Sequence, residues 1–194
     1  PDTGRSVDQE LSNKIATIGE NMNIRRVEYI EVSEGVLVSY IHNKITEDLG
    51  KLGVIVAIES KAKESQLLEV GKQIAMHIAA ASPKSVNIDD LDSDIVKRER
   101  EVLIDQAMSS GKPKEIAEKM VQGRMKKFFQ EVVLNEQVSV IDGETQIKDI
   151  MSKLSDELGT GVRIKDFKIF KLGEGIEVAE SDFAAEVAAT VGIN

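Results

Sequence analysis

Two histidines are the residues best suited to acid–base chemistry or metal binding, because imidazole titrates near neutral pH. His77 lies in an apolar stripe seven residues after Val70, which favours a hydrogen-bonded core position over a catalytic one. His42 comes at the end of a predicted strand, before Asn43, and is interpreted as a surface or contact residue. A metal site needs further ligands at short spacing, and neither histidine has them. The histidines therefore predict neither a catalytic centre nor a metal site.

Two glycine-containing stretches match nucleotide-binding motifs only in part. Gly111-Lys112-Pro113 lacks the Ser or Thr that follows the lysine of a phosphate-binding loop, and Gln106 stands where that loop needs glycine. Gly173-Glu174-Gly175 lacks the remaining glycine of a dinucleotide fingerprint and is better interpreted as a turn. Carboxylates are abundant, but no pair can be singled out as catalytic. The sequence thus predicts a protein that is not an enzyme and needs no cofactor.

The composition argues against several other classes of protein. The chain has 194 residues, a formal net charge of -9 and no cysteine. Without thiols it can form no disulfide and no thiolate-held zinc site, which fits a reducing compartment. Net acidity argues against a nucleic-acid binder, which needs clustered cations, and no apolar run approaches the ~18 residues of a membrane span. We therefore predict a cytoplasmic protein whose partners are neither nucleic acid nor membrane.

The first 81 residues predict a helix, three strands and a second helix. Apolar residues at helical intervals indicate a first helix that Gly19 ends. β-Branched and aromatic residues predict strands over 27–32 and 36–42, joined as a hairpin through a short turn. A nearly continuous apolar run over 52–59 indicates a third strand, buried on both faces. The amphipathic helix over 65–81 is expected to cover one face of this sheet.

Residues 91–133 predict two paired helices. Their two apolar stripes are separated by Gly111 and Pro113, which is typical of a short connection between antiparallel helices. Both helices are too polar on their outer faces to lie inside a globule. We therefore expect a protruding antiparallel coiled-coil hairpin.

The elements after the hairpin complete an α+β fold. Residues 138–142 predict a short strand, and Thr145 is expected to cap a helix that ends at Gly159. The alternation over 162–170 predicts a further strand, with a bulge near Asp166. The expected fold is an antiparallel sheet with packed helices, divided in sequence by the helical hairpin.

Three stretches of the chain resemble the bacterial elongation factor Ts family. They are IGENMNIRR at 18–26, SGKPKEIAEKMVQGRMKKF at 110–128 and GEGIEVAESDFAAEVA at 173–188. They occur in the family's order and together span nearly the whole chain. The resemblance implies an α+β core of two related subdomains with a projecting coiled coil. It also implies guanine-nucleotide exchange on elongation factor Tu, without covalent chemistry.

The resemblance implies a division of the chain into four regions. Residues 1–90 are expected to form part of the first core subdomain, with a helix, a three-stranded sheet and a second helix. The coiled-coil hairpin takes 91–133, and the second core subdomain continues over 134–178. A C-terminal module takes 179–194, with a small helix that begins at Ser181.

The resemblance also implies which residues bind elongation factor Tu. The loop at 18–21 matches one that contacts the nucleotide-binding domain of Tu, and His42 matches a contact toward its third domain. An apolar pair at 140–141 is directed to the same domain, with ordinary core packing as the alternative. Alternation along a strand would let only one member of that pair face inward. The expected contact residues are Ile18, Gly19, Glu20, Asn21, His42, Val140, Ile141, Asp182 and Phe183.

One departure from the family and one alternative function bear on this expectation. The family's Thr-Asp-Phe-Val motif and N-terminal helical domain are expected to lie upstream of Pro1, so this chain is expected to bind Tu incompletely and to exchange nucleotide poorly. Ser181-Asp182-Phe183 resembles that motif in letters, but Ala184 replaces the valine, and the role is not transferred. The alternative is homodimerisation or an adaptor role of the hairpin, whose long apolar stripe a monomer would leave partly uncovered.

Overall fold

The computed structural model describes residues 3–109, 111 and 113–175. The described chain forms two compact units, divided between Ile30 and Glu31. The first holds one helix, and the second holds the sheet and the other helices. The elements are α1 Val7–Ile18, β1 Gly35–Thr46, β2 Leu49–Ser60, α2 Glu64–Ala81, α3 Ser93–Ser109, α4 Lys114–Val132, α5 Ile147–Leu158 and β3 Val162–Lys171, with short 3₁₀ turns at Ile88–Asp90 and Leu134–Glu136.

Helix α1 is bounded by local signals at both ends. The Ser6 hydroxyl accepts a hydrogen bond from the Gln9 N–H at 3.3 Å, and the Gln9 side chain accepts one from the Ser6 N–H at 3.0 Å. This reciprocal pair satisfies amide groups that the first helical turn leaves without partners. Gly19 ends the helix in the left-handed region, at φ 82°. The prediction of a first helix that ends at Gly19 is confirmed.

The sheet is three-stranded and antiparallel, in the order β1-β2-β3. Its hairpin joins β1 to β2 through a turn at 47–48, with the register running from Gly35 opposite Glu59 to Thr46 opposite Leu49. Both strands extend toward the turn beyond their predicted bounds of 36–42 and 52–59, through polar residues as well, because the hydrogen bonds of the ladder use the backbone whatever the side chains are.

The predicted hairpin between 27–32 and 36–42 is wrong, because residues 27–32 form no strand. Val27 and Tyr29 are 83% and 80% exposed, so the alternation there buries no apolar face. β-Branched and aromatic residues stabilise a strand chiefly by packing on a pleated, half-buried surface. Without that burial, their strand preference is not realised.

The third strand of the sheet is therefore supplied by residues that follow the helical pair in the sequence. β3 pairs antiparallel with β2, from Val162 opposite Ser60 to Lys171 opposite Leu52. The register shifts where Ala57 lies opposite Asp166 and the next residue of β2 lies opposite Ile164. One extra residue in β3 is thus accommodated as a bulge, which confirms the prediction of an irregularity near Asp166.

Helix α2 covers one face of the sheet, as predicted. Gly71 lets it approach closely, since a Cβ at this position would lie 2.6 Å from Val38 Cγ2. The buried residues of this core are Val36, Val38, Val54, Val56, Ile58, Leu67, Val70, Ile74, Ala75, Ile78, Val86, Leu134, Ile147, Met151, Val162 and Ile164. Helices packed on an antiparallel sheet confirm the predicted α+β class.

Helices α3 and α4 pack against each other around a separate apolar cluster. Its buried members are Leu103, Ala107, Ala117, Val121 and Met125. Outside the cluster, the Arg124 guanidinium donates to Gln106 Oε1 at 2.6 Å. The prediction of two helices joined near Gly111 and Pro113 is confirmed. No helix within the described ranges is long and apolar enough to cross a bilayer.

The segment before α5 differs from its prediction. Residues 138–142 form no strand, and Val138 makes only an isolated bridge with Gln146. The cap of α5 is Gln146 rather than the predicted Thr145, and it makes no side-chain capping hydrogen bond. The predicted end of the helix at Gly159 is confirmed, at φ 64°.

Candidate functional site

Two neighbouring apolar side chains project from a loop between α4 and α5. Val140 and Ile141 are 51% and 53% exposed. They belong to the segment 138–146, here called the 138–146 loop. Ordinary core packing, the alternative considered for this pair, is excluded for both residues. Because the segment is a turn rather than a strand, alternation does not direct either side chain inward.

The 138–146 loop is held by its own hydrogen bonds. The Ser139 N–H donates to the Thr145 carbonyl at 2.8 Å, and the Gly143 N–H donates to the Ser139 carbonyl at 2.8 Å. Asp142 Oδ1 accepts from the N–H groups of Glu144 and Thr145, each at 3.1 Å. Short polar side chains that bond to nearby backbone compete with strand pairing. These bonds explain why a β-rich sequence forms a turn here.

The same hydrogen bonds stabilise the charged form of Asp142. A bond from the Thr145 side chain, followed by those from the backbone of Glu144 and Thr145, lowers the pKa of the Asp142 carboxyl. A carboxylate that accepts several hydrogen bonds holds its proton less readily. The exposed apolar pair therefore lies beside a fixed negative charge at neutral pH.

A buried histidine on α2 joins this helix to the 138–146 loop. His77, on α2, is 1% exposed. Its Nδ1 accepts the Val140 N–H at 3.1 Å, and its Nε2 lies 2.9 Å from Gln137 Oε1. The Gln137 side-chain amide in turn donates to the Glu131 carbonyl at 2.7 Å. The prediction that His77 is a hydrogen-bonded core histidine is confirmed.

Burial lowers the pKa of His77, although its hydrogen bond with Gln137 opposes this shift. Removing the imidazolium from water disfavours the charged form more than one hydrogen bond favours it. The side chain is therefore neutral at physiological pH. A neutral imidazole has one N–H donor and one acceptor nitrogen, which is the set that its two partners require.

The lowered pKa of His77 predicts a specific pH dependence of stability. As pH falls through about 6.5, the histidine of the unfolded chain takes up a proton before that of the folded protein does. The free energy of unfolding should therefore decrease in this range, by at most about 1.4 kcal/mol per pH unit, and level off below the folded-state pKa. Urea unfolding at several pH values from 7.5 to 5 measures this slope. In His77→Gln, which cannot titrate, the slope should be smaller, and an equal slope in both proteins would contradict the assignment.

The predicted loop at 18–21 lies in the first unit, where it begins with the last residue of α1. Ile18 is 57% exposed, and Glu20 and Asn21 are exposed as well. A Cβ on Gly19 would meet nothing within 4 Å, so the positive φ, rather than packing within the chain, requires glycine here. α1 has no buried residue; in its apolar stripe Val7 and Ile18 are exposed, while Leu11 and Ile15 are partly buried.

His42 lies on β1, opposite Leu52, and is exposed. It continues the row of alternate residues that contains the buried Val36 and Val38. Its Nδ1 is 3.0 Å from the Tyr40 hydroxyl, and the two ring centroids are 6.1 Å apart. The prediction of a surface residue is confirmed, while its role as a partner contact stays a prediction.

The predicted contact residues form separate groups. Val140 and Ile141 lie together in one loop, and the 18–21 loop belongs to the other compact unit. Asp182 and Phe183 lie outside the described residues. The sequence offered no signal for Gln137 as the partner of His77, because the two are 60 residues apart. The position of His77 in an apolar stripe indicated only that some partner was needed.

The described residues contain no candidate metal site. Within the described part of the chain, no group of three or more His, Asp or Glu side chains could hold a metal ion. A groove of about 400 Å³ between α3 and α4 is lined by apolar residues and by Arg100, Lys114, Glu118 and Gln122, with no histidine. The features that stand out are exposed apolar side chains on ordered loops, which are typical of protein-binding surfaces.

Comparison with known proteins identifies the family of the chain. The family model described as elongation factor TS matches residues 1–174. The chain belongs to the elongation factor Ts family. Elongation factor Ts from Rhodospirillum centenum is 52% identical over 192 residues, which are 99% of this chain and 62% of that protein. Elongation factor Ts from Rhodospirillum rubrum is 52% identical over 186 residues, which are 96% of this chain and 60% of that protein.

These matches cover nearly all of this chain but only part of each relative. This chain spans about three fifths of the length of the curated relatives it matches, including elongation factor Ts from Magnetococcus marinus at 61%. The matched region includes α1, the sheet, the helical pair and the 138–146 loop. The family resemblance seen in the sequence is thus confirmed over the same residues that form the described fold.

Proposed function

We propose that this chain binds elongation factor Tu and promotes guanine-nucleotide exchange on it during translation elongation, in the cytoplasm. The observation that supports the proposal is the exposure of Val140 and Ile141 on a hydrogen-bonded loop, at positions that the sequence predicts as contacts with Tu. An ordered loop loses little conformational freedom on binding, so more of its contact energy contributes to affinity.

The proposed binding surface consists of several separate contacts. The 18–21 loop would contact the nucleotide-binding domain of Tu, and His42 with the Val140–Ile141 pair would contact its third domain. Asp182 and Phe183, in the C-terminal module, are the remaining proposed contacts with Tu. The proposed regions are 1–90, 91–133, 134–178 and 179–194, with the sheet of the first extended by β3.

Exchange by this mechanism needs binding energy and no covalent chemistry. The factor would bind preferentially a conformation of Tu that holds nucleotide weakly, and linkage requires nucleotide to weaken the factor by the same ratio. A hundredfold loss of nucleotide affinity corresponds to about 2.7 kcal/mol. Burying the remaining exposed halves of Val140 and Ile141 would supply about 1 kcal/mol each. A few such contacts, made only in the low-affinity conformation, are sufficient.

The proposal is tested by measuring the release of a fluorescent GDP analogue from purified Tu in a stopped-flow instrument. The chain should accelerate release in a saturable manner, and its affinity for nucleotide-free Tu should exceed that for GDP-bound Tu by the ratio in which it weakens GDP. Because the sequence predicts incomplete binding, a full-length relative should be faster. Equal affinity for both forms of Tu would exclude exchange as the function.

The second candidate function is dimerisation or docking through α3 and α4 as a coiled-coil hairpin. It is favoured by the apolar groove between the helices and by exposed side chains along them, including Ile104 at 41%, Met108 at 69% and Ile116 at 48%. Light scattering of the chain, and of a variant without residues 95–132, distinguishes the two candidates. A halved mass without loss of Tu binding would assign the hairpin to dimerisation alone.

A further inference from the structure

The Val140 N–H donates its hydrogen bond to a residue outside the 138–146 loop, whereas other N–H groups of the loop donate within it. The neighbouring Ile141 N–H donates to the Ser139 hydroxyl at 3.2 Å, within the loop itself. The Val140 N–H instead donates to His77 Nδ1, 63 residues away on α2. Helix α2 is packed on the sheet, so this bond connects the backbone of the apolar pair to the hydrophobic core.

The surrounding bonds determine which nitrogen of His77 carries the proton. The Gln137 side-chain nitrogen donates to the Glu131 carbonyl, so the Gln137 oxygen faces His77 as an acceptor. His77 Nε2 must then be the donor, and Nδ1 is left as the acceptor that the Val140 N–H needs. All these partners are satisfied only by the neutral Nε2–H form, so the histidine has one orientation and one tautomer.

We propose that His77 is a positioning residue, whose Nδ1 holds the Val140–Ile141 pair in the orientation that binds elongation factor Tu. The inference rests on the proposed function of this pair. His77 itself is buried, so it would not contact Tu directly. It acts through the backbone of Val140, and the chain from Glu131 through Gln137 sets the orientation of its ring.

Two substitutions separate the two bonds of His77. In His77→Asn the amide oxygen can take the place of Nδ1, which keeps the acceptor for the Val140 N–H and loses the donor to Gln137. In His77→Gln the amide nitrogen can take the place of Nε2, which keeps the donor and loses the acceptor. Each variant removes one hydrogen bond from the same buried position, so their urea unfolding curves should be similar.

The test compares the affinities of the wild-type chain and both variants for nucleotide-free Tu by titration calorimetry. His77→Gln should bind about tenfold more weakly than the wild type, and His77→Asn should restore affinity to within about threefold. Equal weakening by both variants, or no weakening by either, would overturn the inference. Failure of the wild type to bind Tu would instead overturn the proposed function.

A second measurement keeps the inference testable without the partner. Amide hydrogen exchange should be faster at Val140 in His77→Gln than in His77→Asn, and equal rates would overturn the positioning role. Should both variants fail to fold, nitrogen-15 NMR of the wild-type imidazole decides. Protonation at Nε2 with an unprotonated Nδ1 would support the inference, and the opposite tautomer would overturn it.

Discussion

Replacing Val140 and Ile141 together with aspartate is expected to weaken binding to elongation factor Tu by at least about a hundredfold. The substitution removes about 1 kcal/mol of apolar burial at each position, and each carboxylate forced into an apolar contact adds a desolvation cost of at least about 1 kcal/mol. Two such losses exceed the 2.7 kcal/mol that corresponds to a hundredfold. Both residues are about half exposed, so the free energy of unfolding should change little.

Titration calorimetry with nucleotide-free Tu measures this loss, and urea unfolding checks the fold. The matched control is Ile116→Asp, because Ile116 has a similar exposure of 48% and lies in the first turn of α4. An acidic residue in the first turn of a helix is favourable, so this control should fold normally. Unchanged affinity in the double variant would remove the 138–146 loop from the binding surface. Loss of affinity in the control would favour docking through the helical pair.

Replacing Ile58 with alanine is expected to have the largest effect on stability. Ile58 is fully buried on β2, opposite Val36 of β1 and Ile164 of β3. The substitution removes buried methyl and methylene groups and leaves a cavity where sheet and helix meet, which costs about 2–5 kcal/mol. Because the chain has no tryptophan, circular dichroism is the suitable probe of urea unfolding.

The matched control for this prediction lies on the same strand. Ile55 faces the other side of the sheet and is 40% exposed, so Ile55→Ala should cost less than about 1 kcal/mol. Equal losses from the two substitutions would contradict the assignment of the core to the α2 face. Because both variants remove the same atoms, any difference between them reports burial alone.

Local sequence signals predicted the helices well and the strands incompletely. The end of a helix and its buried face are indicated by residues within the helix or next to it, as Gly19 and the apolar stripe of α2 demonstrate. Residues 27–32 and 138–142 have the composition of strands, but neither has a buried face and a paired neighbour. A strand requires both, and both are supplied by distant parts of the chain.

The candidate site was predictable to a similar degree. The resemblance in sequence indicated Val140 and Ile141 as contacts, and their exposure supports that interpretation. Their exposure itself could not be derived from alternation, because Ser139 and Asp142 turn the chain through local hydrogen bonds. The hydrogen-bond partners of His77 were equally inaccessible, since Gln137 and Val140 approach it only in the folded protein.

The amino-acid sequence by itself determined the α+β class, the family, the glycines that end α1 and α5 and the burial of His77, because periodicity, capping residues and extended similarity are all local or linear properties. The tertiary structure alone decided that β3 completes the sheet beside β2 and that His77 holds the Val140 backbone. These contacts join residues 60 or more positions apart. Such pairings depend on the shape of the whole packed core, which no short window of residues specifies.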